Sequence, residues 1–217
     1  VLWTFSLFLI LKDMRVFVVG GDIHYANWIK DCELVPTIAQ ADIVFFTGGE
    51  DVSPSLYGCK KHYTTWCNPQ RDAYEVEMFK NINPDQLVVS ACRGSQFCCI
   101  MNGGKLVQNC NHHAIAGLHE IVNKDGEVYK ITSTHHQMQY PFDLDPNDYD
   151  ILYWAEKLST KYEGDGIDPK KIVKEPEIVF YHKENKPRCL AIQGHPEMMP
   201  HTPLHDILNN LILQCIV

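Results

Sequence analysis

The stretch Leu87-Val88-Val89-Ser90-Ala91-Cys92-Arg93-Gly94-Ser95-Gln96 constrains the fold more than any other part of the chain. An apolar run of β type stops at small residues, a cysteine follows, and a glycine stands two residues on. Gln96-Phe97-Cys98-Cys99-Ile100-Met101 then reads as the start of a helix. A strand that turns sharply into a helix around one nucleophilic side chain is a nucleophile elbow. The tight turn lifts the sulfur clear of its own backbone. The helix N-terminus favours the thiolate, which is the reactive form.

The remaining pattern alternates in the α/β manner. Apolar strand runs are expected at 14–19, 41–46, 87–89, 151–154, 178–181 and 190–193. Residues 120–122 and 128–132 read as a hairpin about Asp125-Gly126. The spacing predicts a helix over 71–82 with Tyr74, Met78 and Ile82 on one face. A closing helix is expected over 203–217, with Leu204, Ile207, Leu208, Leu211 and Ile212 as its apolar stripe. The loop 141–150 is acidic and carries prolines, as surface loops do. No repeat or low-complexity linker divides the chain, so residues 14–217 are expected to form a single domain. Residues 1–13 read as an extension outside it, with an extra edge strand or an interfacial anchor as the rival reading. Their apolar run is too short to span a membrane and lacks a basic leading region.

A nucleophilic cysteine needs a base. Cys189-Leu190-Ala191-Ile192-Gln193 is a short strand pattern that runs into Gly194-His195-Pro196-Glu197. Pro196 restricts His195 toward an extended conformation at the strand end. Glu197 follows closely enough to orient the imidazole from its far side. Cys92, His195 and Glu197 therefore form a candidate nucleophile, base and acid, widely spaced in sequence and placed at strand ends.

The charge of −8 over 217 residues argues against a nucleic-acid partner, which would call for basic stripes. The nine cysteines are odd in number and follow no framework spacing, which fits a reducing cytoplasm. No Cys-x-x-Cys pair points to zinc. Cys110-Asn111-His112-His113 could ligate a metal, but a loop explains it more simply, and no metal is expected.

Several of these segments together resemble a known family. Ser90-Ala91-Cys92-Arg93-Gly94-Ser95-Gln96 resembles the elbow of class I glutamine amidotransferases, and Gln193-Gly194-His195-Pro196-Glu197 resembles their His-Pro-Glu motif. The runs Phe46-Thr47-Gly48-Gly49-Glu50-Asp51-Val52-Ser53-Pro54-Ser55-Leu56-Tyr57-Gly58, Arg71-Asp72-Ala73-Tyr74-Glu75 and Ser133-Thr134-His135-His136-Gln137 resemble the γ-glutamyl hydrolase branch. That branch includes the γ-glutamyl-γ-aminobutyrate hydrolases. Gly103-Gly104-Lys105-Leu106-Val107-Gln108 also fits, and the resemblance runs over residues 14–201. Ser90 stands in place of a glycine, which predicts some strain in the turn, and Ser95 and Gly194 also depart from the pattern. The segment 14–46 is shorter than usual for the family.

The resemblance implies a three-layer α/β sandwich with a central, mostly parallel, flavodoxin-like sheet. It implies a hydrolase that cleaves a γ-glutamyl amide through a γ-glutamyl thioester on Cys92, with no cofactor. Its oxyanion would be held by the backbone of Arg93 and of Gly48 and Gly49, although the glycine pair also suits a plain turn. Gln96, Ser133, Thr134, His135 and His136 are the implied substrate contacts. Arg71 and Asp72 either order a loop over the site or form a charge pair at a helix start. A glutaminase subunit that passes ammonia to a separate synthetase is the alternative, and a catalytically silent binding module is a third. The expected ligand is glutamine or a small γ-glutamyl compound, with no nucleic acid and no membrane, and with a homodimer or a synthetase partner left open.

Overall fold

Three strands of this chain are apolar on both faces, and that dictates where they lie. In the computed structural model, which describes residues 13–156, 158–199 and 202–216, they form the centre of one large sheet. The expectation for residues 1–12 falls outside the described residues. In chain order the strands are β1 (Met14–Val18), β2 (Cys32–Leu34), β3 (Ile43–Phe46), β4 (Leu87–Ala91), β5 (Lys105–Val107), β6 (Asn109–Cys110) and β7 (Ala114–Val122), followed by β8 (Val128–Thr134), β9 (Met138–Tyr140), β10 (Tyr149–Ala155), β11 (Tyr162–Glu163), β12 (Glu175–Tyr181) and β13 (Arg188–Ile192). The α-helices are α1 (Pro69–Lys80), α2 (Arg93–Met101) and α3 (Pro203–Ile216).

The main sheet runs β2-β1-β3-β4-β13-β12-β10-β7-β8. Its first five strands are mutually parallel. Their order is the 2-1-3-4-5 order of flavodoxin-like folds. The other four strands extend this parallel core in antiparallel fashion. Every residue of β3 and β4 is buried, as expected where helices cover both faces. One face packs against α3 through Leu204, Leu208 and Ile212. The other packs against α1 and α2 through Phe79 and Phe97, with Phe46 stacked on Phe97 at a centroid distance of 5.1 Å. These are the three layers that the family resemblance implies.

The hairpin about Asp125-Gly126 forms and is longer than expected, reaching Ala114 and Thr134. Gly126 adopts φ 79°, open to glycine without strain. The largest departure is the orientation of α1. Tyr74 is 46% exposed, whereas Asp72 and Glu75 are buried beside Phe79. Of the expected face, Ile82 is buried just beyond the helix end and Met78 packs partly buried against the same core, and only Tyr74 is turned out, because a buried cation on α2 draws the acids inward.

Candidate active site

The three parallel strands β3, β4 and β13 end side by side, with Phe46 opposite Ser90 and Ile192 opposite Ala91. Each is followed by residues that the sequence marks for chemistry. Gly48 follows β3, Cys92 follows β4 and His195 follows β13. Crevices outside the carboxyl ends of parallel strands are where ligands bind in open α/β sheets.

Cys92 joins β4 to α2 with φ 49° and ψ −113°. That is a strained conformation for a non-glycine residue, of a kind that concentrates at functional sites. The strain sits at Cys92 itself and not at Ser90, which has no left-handed φ and continues the strand. Glycine is required two residues on for a different reason. A Cβ on Gly94 would overlap the Phe46 carbonyl oxygen, so α2 can approach β3 only because none is present. The Cys92 N–H donates to the Ile192 carbonyl at 2.9 Å, and the Cys92 carbonyl accepts from the Ser95 hydroxyl at 2.7 Å. Arg93 is the first residue of α2, where its backbone N–H has no preceding helical carbonyl to bond.

His195 lies against the sulfur side. Its Nδ1 is 2.6 Å from Glu197 Oε1, and its backbone N–H donates to Thr132 Oγ1 at 2.6 Å. Burial works against a charged imidazole. The neighbouring Cys92 and Glu197 outweigh it and raise the His195 pKa to about 10. A protonated imidazole beside a cysteine is the setting in which thiolates form. Cys92 and His195 are 9% and 7% exposed, so the groups are narrowly open to solvent.

Gly48 sits between them. A Cβ there would lie 2.8 Å from His195 Cε1, 2.8 Å from the Tyr25 hydroxyl and 3.4 Å from Cys92 Cβ. Arg71 fixes this backbone. Its guanidinium donates to the Gly48 carbonyl at 2.8 Å, to Thr47 Oγ1 at 3.1 Å, to Glu50 at 2.7 Å and to Glu75 at 2.8 Å. Carbonyl and N–H of a trans peptide point in opposite directions, so the Gly49 N–H faces away from Arg71. Arg71 thus braces the backbone next to the site, and Asp72 accepts from the Ser53 N–H at 3.1 Å while pairing with Arg93. The Arg93 guanidinium is 1% exposed and held by Asp72 at 2.5 Å and by Glu75.

The other expected contacts are placed unevenly. Gln96 is buried and donates to the Gln137 carbonyl at 3.2 Å. His136 is half-buried with Nε2 3.2 Å from Asp51. Thr134 is exposed. Ser133 is fully buried and its hydroxyl donates to the His113 carbonyl at 2.5 Å. The His135 ring turns into the interior, with Nδ1 2.8 Å from the Gln137 carbonyl. His113 is no loop residue open to solvent but is fully buried.

Tyr25 escapes a reading of motifs. Burial, then Glu197 and Cys92, push its pKa up to about 12, so the hydroxyl keeps its proton beside the candidate pair. It lies in a short helical turn with no periodic or motif signal. Thr132, inside β8, is equally silent in sequence. No helix among the described residues is long and apolar enough to cross a membrane.

The family model for Peptidase C26 matches residues 28–143. A proposed glutamine amidotransferase-like protein, YvdE of Lactococcus lactis subsp. lactis, is 29% identical over 76% of this chain and 70% of its own length. Its homologue from subsp. cremoris is 29% identical over 45% of this chain and 63% of its length. Among solved structures, a proposed GMP synthase component from Thermoplasma acidophilum superposes with a TM-score of 0.58 at 16% identity, over 93% of this chain and 94% of that one. A glutamine amidotransferase from Thermotoga maritima superposes with a TM-score of 0.55 at 14% identity, over 94% and 98%. At those identities the likeness is one of fold.

Proposed function

The chain belongs to the Peptidase C26 family of the class I glutamine amidotransferase-like superfamily, and we propose that it hydrolyses a γ-glutamyl amide with Cys92 as nucleophile. The observation that carries this reading is that Cys92, strained at the strand-to-helix turn, and a His195 held by Glu197 converge on Gly48. In the proposed reaction Cys92 Sγ attacks the γ-carbonyl carbon. The carbonyl oxygen takes negative charge, and the N–H groups of Arg93 and of the Gly48-Gly49 segment stabilise it. The C–N bond then breaks as His195 passes its proton to the leaving amine. A γ-glutamyl thioester remains. Water, deprotonated by His195, attacks it and releases glutamate and the thiolate. Glu197 holds the imidazole orientation throughout. Gln96, Thr134 and His136 are the members proposed to contact the glutamyl group, with the buried Ser133 and His135 behind them.

A second reading has a specific basis in the relatives named as amidotransferases. Under it, the same thioester chemistry on glutamine would deliver ammonia to a separate synthetase. One experiment separates the two. The purified chain alone, without ATP, is expected to release amine and glutamate from glutamine or γ-glutamyl amines. Release that stays negligible until a synthetase is added favours the ammonia donor. A glutamine-like electrophile is expected to label Cys92, and Cys92→Ala to abolish turnover. The competing buried thiols are poorly suited, since burial raises Cys98 well above the usual range and Cys99 and Cys110 to about 12. Labelling of another cysteine with turnover retained in Cys92→Ala would sink the assignment.

A further inference from the structure

Behind the candidate site lies a second concentration of chemistry that the proposed hydrolysis does not use. His113 precedes β7, His119 lies within it, His135 follows β8 and Glu177 is on β12. All four are buried. A nitrogen from each histidine faces one and the same oxygen. Glu177 Oε1 is 3.5 Å from His113 Nδ1, 3.7 Å from His135 Nε2 and 3.1 Å from His119 Nε2. None of these four atoms makes a hydrogen bond of good geometry among the described residues.

The outward sides of two rings decide what the inward sides can offer. His113 Nε2 is 2.7 Å from Glu175 Oε2, an acceptor, so the ring carries its proton there. Glu175 is held in turn by the Ser159 N–H at 2.8 Å and the Tyr162 hydroxyl at 2.6 Å. His135 Nδ1 is 2.8 Å from a backbone carbonyl, again an acceptor. In the neutral rings, His113 Nδ1 and His135 Nε2 therefore present lone pairs, and both are aimed at a carboxylate oxygen. Three acceptors facing one another in a dry interior repel unless a cation lies between them.

We propose that His113 Nδ1, His135 Nε2 and Glu177 Oε1 bind a divalent transition ion of the zinc class. The three donor atoms lie within 4.8 Å of one another. Zinc bonds of roughly 2.0–2.2 Å to nitrogen and oxygen give a tetrahedral edge of about 3.4 Å, and the two ligand separations at Glu177 are 3.5 and 3.7 Å. Imidazole nitrogens with one carboxylate suit zinc better than calcium or magnesium, which take oxygen ligands. The outward bonds to Glu175 and to the Gln137 carbonyl are those that orient metal-bound histidines and fix their tautomers. Such an ion would tie β7, β8 and β12 together under residues 133–137. The Gln193 N–H donates to the Glu177 carbonyl at 2.7 Å, so the tie would also reach the strand that carries His195. The role is structural, and the hydrolysis needs nothing from the ion.

The test uses the full chain carrying Cys92→Ala, which removes the candidate thiol as a rival ligand. It is expressed with added zinc, dialysed, and assayed for metal by mass spectrometry. Stoichiometric zinc is expected, with a melting temperature that falls on stripping with a strong chelator and recovers on adding zinc. X-ray absorption at the zinc edge is expected to show a nitrogen and oxygen shell with imidazole scattering. Adding His113→Gln is expected to lower zinc content at least tenfold. Metal-free protein that takes up no added zinc, with an unmoved melting temperature, overturns the proposal. So does a shell containing sulfur, or full zinc retention in the His113→Gln protein. If that variant does not fold, zinc content and the absorption spectrum of the Cys92→Ala protein decide alone.

Discussion

Replacing Gly48 with alanine tests the geometry of the site with a single methyl group. Gly48 has no left-handed φ, so alanine fits the backbone, and the only obstacle is space. The added Cβ would stand 2.8 Å from His195 Cε1 and from the Tyr25 hydroxyl, where ordinary contact begins at 3.4 Å. The imidazole must therefore retreat by about 0.6 Å, on those distances, or the glycine strand must move off Cys92 by as much. A displacement near 1 Å in a reacting pair costs up to about 100-fold in rate. We expect a loss of ~10- to 100-fold in kcat/KM, or ~1.4–2.7 kcal/mol of transition-state stabilisation. Folding should change little, because alanine also restricts the unfolded chain. The assay is glutamate release from a γ-glutamyl amide, alongside a thermal melt. Tyr25→Phe removes one of the two groups that the methyl presses on. The double variant Tyr25→Phe with Gly48→Ala should therefore recover part of the loss. A Gly48→Ala protein within about threefold of wild type would refute the packing argument.

Three further outcomes are expected. His195→Ala should lose nearly all turnover because proton transfer is lost, while Glu197→Gln should retain more because it still orients the ring; equal losses in steady-state rate would contradict that division. Arg93→Met should destabilise the fold by ~3–5 kcal/mol, since it strands Asp72 as a buried charge and leaves Glu75 with Arg71 alone. Urea denaturation reads this directly, and a loss under about 1 kcal/mol would mean the acids find other partners. The pH dependence of stability follows from His195, whose pKa rises from 6.5 to about 10 on folding. Its contribution is complete below pH 6.5 and fades as pH climbs through about 10, so the melting temperature should drop over that window. A His195→Ala protein that drops equally would assign the effect elsewhere.

What can be read from sequence divides along physical lines. Strands β3, β4 and β13 are buried on both faces, and a strand buried on both faces is a continuous apolar run visible in sequence. Cys92 and His195 are legible because each stands where such a run ends. The orientation of α1 is not. Met78 and Ile82 pack on the core as their spacing implies, but the need of Arg93 for two carboxylates turns Asp72 and Glu75 inward and leaves Tyr74 exposed. That requirement comes from another helix, 18 and 21 residues away, and no local period encodes it. The cluster around Glu177 is hidden for the same reason. Its members come from three strand regions, so the spacing among His113, His119, His135 and Glu177 follows no ligand motif. Ser133 and His135 show the limit of a motif reading from the other side. They belong to the expected substrate segment, but their side chains are buried and held by backbone carbonyls while Thr134 is exposed.

The buried charges of α1 also explain how the strained elbow is held. A left-handed φ at a cysteine costs ~1–3 kcal/mol and persists only where the surroundings over-determine it. Here the constraints come from separate parts of the chain. The Cys92 N–H is tied to β13, Gly94 lies against the β3 carbonyl, and the Arg93 side chain is clamped by α1. Helix α1 then acts a second time, because Arg71, one turn from Glu75, holds the Thr47 and Gly48 carbonyls. One helix therefore sets both the residue after the candidate nucleophile and the glycine strand opposite it. The separation of Cys92 from Gly48 is fixed by a run of alternating charges, Asp72, Arg93, Glu75 and Arg71. Loosening any member should move both walls of the site together. For that reason Arg71→Lys, which keeps the charge but loses the planar fork, should reduce turnover more than stability.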